Sequence, residues 1–277
     1  MKKILFPTDF SQVADEAFTY ALYLASKMDA TIHCLHVYNL THTADMLAPA
    51  DIIVAIQEEE EERALEQMQT YFRRIEEDAG KSVKVKPLLK AGFAADAIAS
   101  ACREVKPDLV VMGTKGATNA LDKMLGSVTS TVISDTEVPV LAIPEKVVYQ
   151  PIKRIAYATD FKEKDHEVSA RLGELTRSLE AEAIAVHVRK QGPGFSAEEE
   201  QQLRDLYRRE ADLPDLHLEQ VEGEDTADAL AAFMEAHQVD VLALSTHRRS
   251  FIDRLFHRSV TRRLALYARK PLLVFHS

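Results

Sequence analysis

The chain has 277 residues, enough for one large or two ordinary domains, each able to bury its own core. Its 46% hydrophobic and 28% charged content is that of a globular protein, and its apolar runs are only strand-length, so no membrane span is expected. A net charge of −10 argues against general nucleic-acid binding.

In chain order, Ile4-Leu5-Phe6 reads as a strand that Met1 leads into with no signal peptide, which points to the cytoplasm. Ser11 is placed to cap a helix whose apolar positions Ala14, Ala17, Phe18, Ala21, Leu22, Ala25 and Met28 follow the 3.6-residue period. Thr31 to Tyr38 is a second strand. A long acidic helix follows from about Ile52 to Ala79, ending at Gly80, and its run Glu58 to Glu62 reads as a solvated face. Val83 to Leu89 is a third strand, and Ala94, Ala97, Ile98, Ala101 and Val105 mark the next helix. Leu109 to Met112, a helix from Ser127, and Val140 to Ile143 complete the first half. Cys34 and Cys102 have no second ligand at short spacing and read as reduced core thiols.

The second half repeats the first. Lys2-Lys-Ile-Leu-Phe-Pro-Thr-Asp-Phe10 is echoed by Lys153-Arg-Ile-Ala-Tyr-Ala-Thr-Asp-Phe161. Val105-Lys-Pro-Asp108 is echoed by Gln238-Val-Asp240, and Val138-Pro139-Val140 by Lys270-Pro271-Leu272. The offset falls from 151 to 132 along the chain, so the second copy is 19 residues shorter in its middle. A repeat of this length means two domains, 1–144 and 151–277, joined by a short segment between Pro144 and Pro151. Alternating βα units with apolar strands predict, in each domain, a mostly parallel five-stranded sheet with helices on both faces. In a 3-2-1-4-5 order, the ligand crevice lies between the carboxyl ends of the first and fourth strands, where Asp9 and Gly113 stand.

The stretch Asp108-Leu-Val-Val-Met-Gly113-Thr-Lys-Gly116, followed by Gly126-Ser127, reads as a buried strand, a glycine loop and a helix start. Glycine lets a backbone come within contact distance of a ligand, and a helix start offers free N–H groups and a positive dipole end to an anion. The spacing G-x2-G-x9-G-S is neither the Walker loop nor the dinucleotide fingerprint. With Pro7-Thr8-Asp9 closing the first strand and Val138-Pro139-Val140 opening the last, it resembles the universal stress protein family, over essentially the whole chain and twice over. The resemblance implies tandem cytosolic α/β domains. It also implies an ATP, ADP or AMP site in the first, with Mg²⁺ a candidate companion. Carried over residue by residue, the nucleotide-binding positions are Pro7, Thr8, Asp9, Val37, Met112, Gly113, Gly116, Gly126, Ser127 and Val128. Val37 would present its backbone to the adenine edge, Asp9 its carboxylate to the nucleoside, and Ser127, with Ser130, its hydroxyl to phosphate. Asp9 can also be read as a plain turn residue. His36 and His187, which occupy the same place in the two copies, read as satisfied buried histidines sooner than as ligands or bases.

The second copy departs from the pattern. Ser245, Arg248 and Arg258 stand where the first has Gly113, Gly116 and Gly126, and Ser259 alone remains. Six arginines and one acid lie between Ser245 and Arg263. They read as a solvated surface or as a guanidinium-lined pocket for another anion, with Asp160, Val188, Arg248, Arg258 and Ser259 as its candidate lining. Three functions fit the whole: a nucleotide-dependent stress-response module, a slow ATPase or nucleotidyl-transfer enzyme, and a flavin or phosphoacceptor module. No nucleophile–base pair or Walker lysine supports catalysis. Family dimers use the last strand, so the two halves are expected to form an internal pseudo-dimer through Pro139 to Ile143 and Pro271 to Phe275, with a further homodimer open.

Overall fold

The computed structural model describes residues 2–38, 50–79, 83–114, 126–145, 147–159, 161, 166–190, 192–211, 216–245 and 270–276. In the first half these are β1 (Lys2–Thr8), α1 (Gln12–Met28), β2 (Ala30–Tyr38), α2 (Ala50–Ala79), β3 (Lys84–Ala91), α3 (Ala94–Val105), β4 (Leu109–Gly113), α4 (Ser127–Asp135) and β5 (Val140–Ile143). The second half supplies β6 (Arg154–Ala158), α5 (His166–Leu179), β7 (Glu182–Arg189), α6 (Ala197–Ala211), β8 (His217–Glu222), α7 (Thr226–Ala236), β9 (Val241–Ser245) and β10 (Leu272–Phe275).

Local chemistry sets most of the boundaries. Ser11 Oγ accepts from the Ala14 N–H at the head of α1, and Asp29 closes that helix in the left-handed region at φ 50°. Lys106 ends α3 in the same way at φ 52°, just before Pro107. α2 is twice as long as α6, 30 residues against 15, and most of the size difference between the copies sits there. Among its described side chains, Ala64, Met68, Tyr71 and Ile75 are buried, while Glu58, Glu59, Glu61 and Glu62 face solvent.

The sheet is continuous, with the order β3-β2-β1-β4-β5-β10-β9-β6-β7-β8. Each half keeps the expected 3-2-1-4-5 order, and every pair within a half is parallel. The five-stranded sheets of the two halves meet at their last strands, the contact expected from the sequence, and so form one. β5 and β10 pair antiparallel, Leu272 opposite Ala142 and Val274 opposite Val140. The flanking Pro139 and Pro271, which have no N–H to give a ladder, stay outside both strands.

Two apolar layers run the length of this sheet. Ile4, Phe6, Leu141, Ile143, Leu273, Phe275, Ile155 and Tyr157 face α1, α2 and α5. Leu5, Val110, Val140, Ala142, Leu272, Val274 and Ala156 face α3, α4 and α7. Helices α1 and α5 pack across the join. Lys2 pairs there with Glu174 at 2.8 Å, and Arg171 donates to the Glu137 carbonyl at 3.3 Å. Both thiols are core residues: burial pushes Cys34 up to about 12 and Cys102 to about 11, so neither ionises near neutrality.

The Asp108 and Asp240 echo has a structural cause. Asp108 Oδ2 accepts from the Lys3 N–H at 2.8 Å, and its own N–H returns to the Lys3 carbonyl at 2.9 Å. Asp240 Oδ2 accepts from the N–H groups of Lys153 and Arg154, and its Oδ1 from Gln150 Nε2, at 2.8, 3.0 and 2.8 Å. Each aspartate therefore ties the entry of the fourth strand of its half to the entry of the first. Gln150 belongs to the segment between the halves, whose Tyr149 ring meets Tyr20 edge-on at 5.1 Å. The join is thus a strap fastened to both sides.

These contacts set the expected response to mutation and to acid. Asp240→Ala should cost about 2 kcal/mol and Asp108→Ala about 1 kcal/mol in urea unfolding, because the first loses three donors and the second one. Equal losses would show that the side-chain count is not what matters. At the last strand, burial, helped by the Arg171 charge, lowers His276 from the ordinary 6.5 to about 4, so the unfolded chain takes up this proton first on acidification. The stability it contributes is complete above pH 6.5, declines as pH falls toward 4 and is then gone. His276→Gln should flatten that part of the pH–stability curve by about 2 kcal/mol, allowing for partial exposure.

Candidate functional site

β1 and β4 are parallel neighbours whose connections leave in opposite directions, β1 to β2 and β4 to β5. The crevice above their carboxyl ends is the switch point at which open α/β sheets take ligands. Thr8 and Gly113 end the two strands there.

The turn after β1 is tightly specified. Phe10 sits at φ 63°, a left-handed conformation unusual for a bulky side chain. Its N–H donates to Thr8 Oγ1 at 3.0 Å, and the Ser11 N–H donates to Asp9 Oδ1 at 3.1 Å. The ring of Phe10 stacks on His36 at 4.1 Å and tilts against Tyr71 at 4.9 Å. Burial lowers the His36 pKa, so the ring is neutral near pH 7, and Nδ1–H donates to the Thr8 carbonyl at 3.0 Å. His36 is thus a satisfied histidine. These contacts outweigh the backbone strain and leave Asp9 exposed at the rim. Asp9 is a turn residue, then, and its carboxylate also stands at the crevice mouth.

The second copy builds the same turn. Phe161 is at φ 54°, its N–H reaches Thr159 Oγ1 at 2.9 Å, and His187 Nδ1 meets the Thr159 carbonyl at 2.9 Å. Recurrence of Thr-Asp-Phe therefore has a backbone explanation in both halves.

The β4 side is built from the strand end and the head of α4. Thr114 N–H donates to the Ile143 carbonyl at 2.8 Å, and Gly126 N–H to the Thr114 carbonyl at 2.6 Å. Thr129 Oγ1 donates to the Gly113 carbonyl at 3.0 Å. Buried Thr114 and Thr129 are structural residues that the glycine spacing does not reveal; Thr129 stands out only as a threonine in the first turn of the helix. Together they fasten the start of α4 to the end of β4. Gly126, the N-cap at φ −63°, has no side chain with which to cap the helix. The first-turn N–H groups of Ser127 and Val128 consequently point out of the helix start, with Ser127 exposed.

Pro7 and Met112 are buried one residue back from these strand ends, and Val37 and Val128 are half-buried against the α3–α4 layer. The structure therefore brings Pro7, Thr8, Asp9, Val37, Met112, Gly113, Gly126, Ser127 and Val128 to one rim. Gly116 lies outside the described residues, as do Asp160, Arg248, Arg258 and Ser259. Val188, half-buried at the end of β7, and Ser245, ending β9, take the positions in the second half that Val37 and Gly113 take in the first. Among the described residues no group of three or more His, Cys, Asp or Glu is arranged to hold a metal ion, and no helix is long and apolar enough to cross a membrane.

Comparison with known proteins agrees with this architecture. Universal stress protein MJ0531 of Methanocaldococcus jannaschii is 32% identical over 144 residues, covering 51% of this chain and 81% of that protein. Universal stress protein MJ0577 of the same organism is 29% identical over 157 residues, covering 52% and 96%. A solved universal stress protein from Archaeoglobus fulgidus DSM 4304 superposes along 99% of this chain and 98% of its own, with a TM-score of 0.70 at 22% identity, and so shares the two-domain fold. The model of the universal stress protein family matches residues 1–144 and again 151–276. The chain belongs to the universal stress protein family, in its tandem two-domain form.

Proposed function

We propose that the first half binds an adenine nucleotide, ATP or its products ADP and AMP, and that the chain is a cytoplasmic stress-response module regulated by that binding. The observation that carries this reading is the head of α4: a glycine-capped helix start, fastened to the end of β4 at the switch point. The residues fit the ligand part by part. Gly113, Gly116, Gly126 and Ser127, with the N–H of Val128, take the phosphates, because backbone donors and the helix dipole favour negative charge where no Cβ intervenes. Val37 and Val128 supply an apolar surface for the base, beside Pro7 and Met112, and Asp9 and Thr8 stand on the nucleoside side. Any Mg²⁺ would arrive with the nucleotide, since no group of three or more His, Cys, Asp or Glu among the described residues is arranged to hold it.

The reading is of a binder more than of an enzyme. The polar groups beside Asp9 are used to hold the turn: Thr8 Oγ1 receives the Phe10 N–H, and the His36 Nδ1–H is given to a carbonyl. The second half, with Ser245, Arg248 and Arg258 in place of the three glycines, is not a second ATP site, since residues of these types bring side chains where the motif needs bare backbone.

Gly126 has a φ that any residue adopts, so Gly126→Arg tests the approach of phosphate without demanding a left-handed backbone of arginine. Calorimetry on the full chain should give close to one ATP bound and none in the variant, with unfolding within about 0.5 kcal/mol of wild type. Full ATP affinity in Gly126→Arg, or two equivalent sites per chain, would overturn the reading.

A further inference from the structure

Phe93 breaks a local rule that the second copy obeys. It is the N-cap of α3 and makes no side-chain cap, and it stands 81% exposed. Caps are normally Ser, Thr, Asp or Asn, and Phe both leaves helix donors unsatisfied and places an aromatic ring in water. The matching helix of the second copy, α7, is capped by Asp225, which accepts from Ala227 and Asp228 N–H at 2.9 and 3.1 Å. The two helices are entered through glycines that bond the same strand position, although Gly92 directly precedes its cap and Gly223 stands two residues before Asp225. Gly92 N–H bonds the Tyr38 carbonyl at 2.9 Å, and Gly223 N–H bonds that of Arg189 at 3.0 Å. The exception therefore belongs to the half that keeps its glycines. Local rules broken in one place are the mark of a functional residue.

Its position says what the ring is for. β3 pairs with β2 so that Lys90 faces Val37 and Ala91 faces Tyr38, which sets Phe93 roughly 10 Å beyond Val37, from the strand spacing and rise. α3 covers the same sheet face as α4, and the two helices pack together. Phe93 at the head of α3 and Gly126 to Val128 at the head of α4 thus flank the apolar surface of Val37 at one rim. Gly92, at φ 122° with nothing within 4 Å of where a Cβ would lie, leaves the backbone before Phe93 sterically unhindered.

We propose that Phe93 closes over the nucleobase and stacks on it, with Val37 and Val128 on the opposite side, making it a specificity-determining residue for a base over a bare polyphosphate. This rests on the nucleotide reading above. A base–aromatic stack of this kind lends affinity without fixing which base is bound.

Three variants of the full chain test it. Phe93→Ser supplies a helix cap and removes the ring, so its Tm should rise while its Kd for ATP increases roughly 10-fold. Its affinity for inorganic triphosphate, which has no base, should match wild type. Phe93→Tyr, which keeps a ring, should restore ATP affinity. The chain has no tryptophan, so Phe93→Trp is a single reporter whose indole emission should be quenched as ATP saturates. Wild-type ATP affinity in Phe93→Ser, a parallel loss of triphosphate binding, or an emission from Phe93→Trp that is indifferent to ATP would each overturn the stack. If wild type binds triphosphate and ATP equally well, the site stands and the stack falls. If wild type binds neither, both readings fall.

Discussion

Val140–Ile143 and Leu272–Phe275 are each four consecutive buried residues, and neither strand has a polar face to turn to water. Left as sheet edges, both would expose unpaired backbone on an apolar ribbon, the geometry that invites aggregation. Pairing them antiparallel removes both edges at once and makes the two apolar layers continuous from one half to the other. The true edges become β3 and β8. β3 carries Lys84, Lys86 and Lys90 and the ladder-breaking Pro87, features that discourage further strand addition. With the two last strands paired, each apolar layer contains residues of both halves.

That constraint also orients the site. Both carboxyl-end rims are fixed by one sheet, so the crevice between β1 and β4 and its counterpart between β6 and β9 are held by the same framework. Duplication preserved the parts of each rim that are made by backbone: the left-handed Phe after Thr-Asp, the His-to-Thr carbonyl bond and the aspartate tie between strand entries. What diverged are the residues on which the nucleotide proposal rests. The first copy has glycines and an exposed Phe93. The second has Ser245, arginines and a conventional Asp225 cap. The shared features are those that the backbone turn and the strand entries require.

Strand and helix positions were readable because period and capping act over a few residues. Ser11 capped the helix assigned to it, α3 runs from Ala94 to Val105, and β5 from Val140 to Ile143, as patterning indicated. The rim residues were readable through glycine spacing and a family likeness. Thr114 and Thr129 were not, since their roles depend on a carbonyl of a strand that folding brings alongside. The roles of His36 and Tyr71 against Phe10 were equally hidden, because an aromatic contact across 26 or 61 residues leaves no local signature.

The sequence by itself determined the duplication, the alternation of strands and helices, the switch-point position of the glycines and the loss of those glycines in the second half. Each is a property of residue type and spacing, which no later contact alters. Tertiary structure decided that the two last strands pair antiparallel in a fixed register, that Tyr149 and Gln150 strap the segment between the halves to both sides, and that Thr-Asp-Phe is first of all a strained turn. It also decided that Phe93, an ordinary apolar residue in the sequence, stands uncapped and in water. Burial and hydrogen-bond satisfaction are properties of the assembled sheet, and only assembly shows which polar groups are used up by the fold and which remain to meet a ligand.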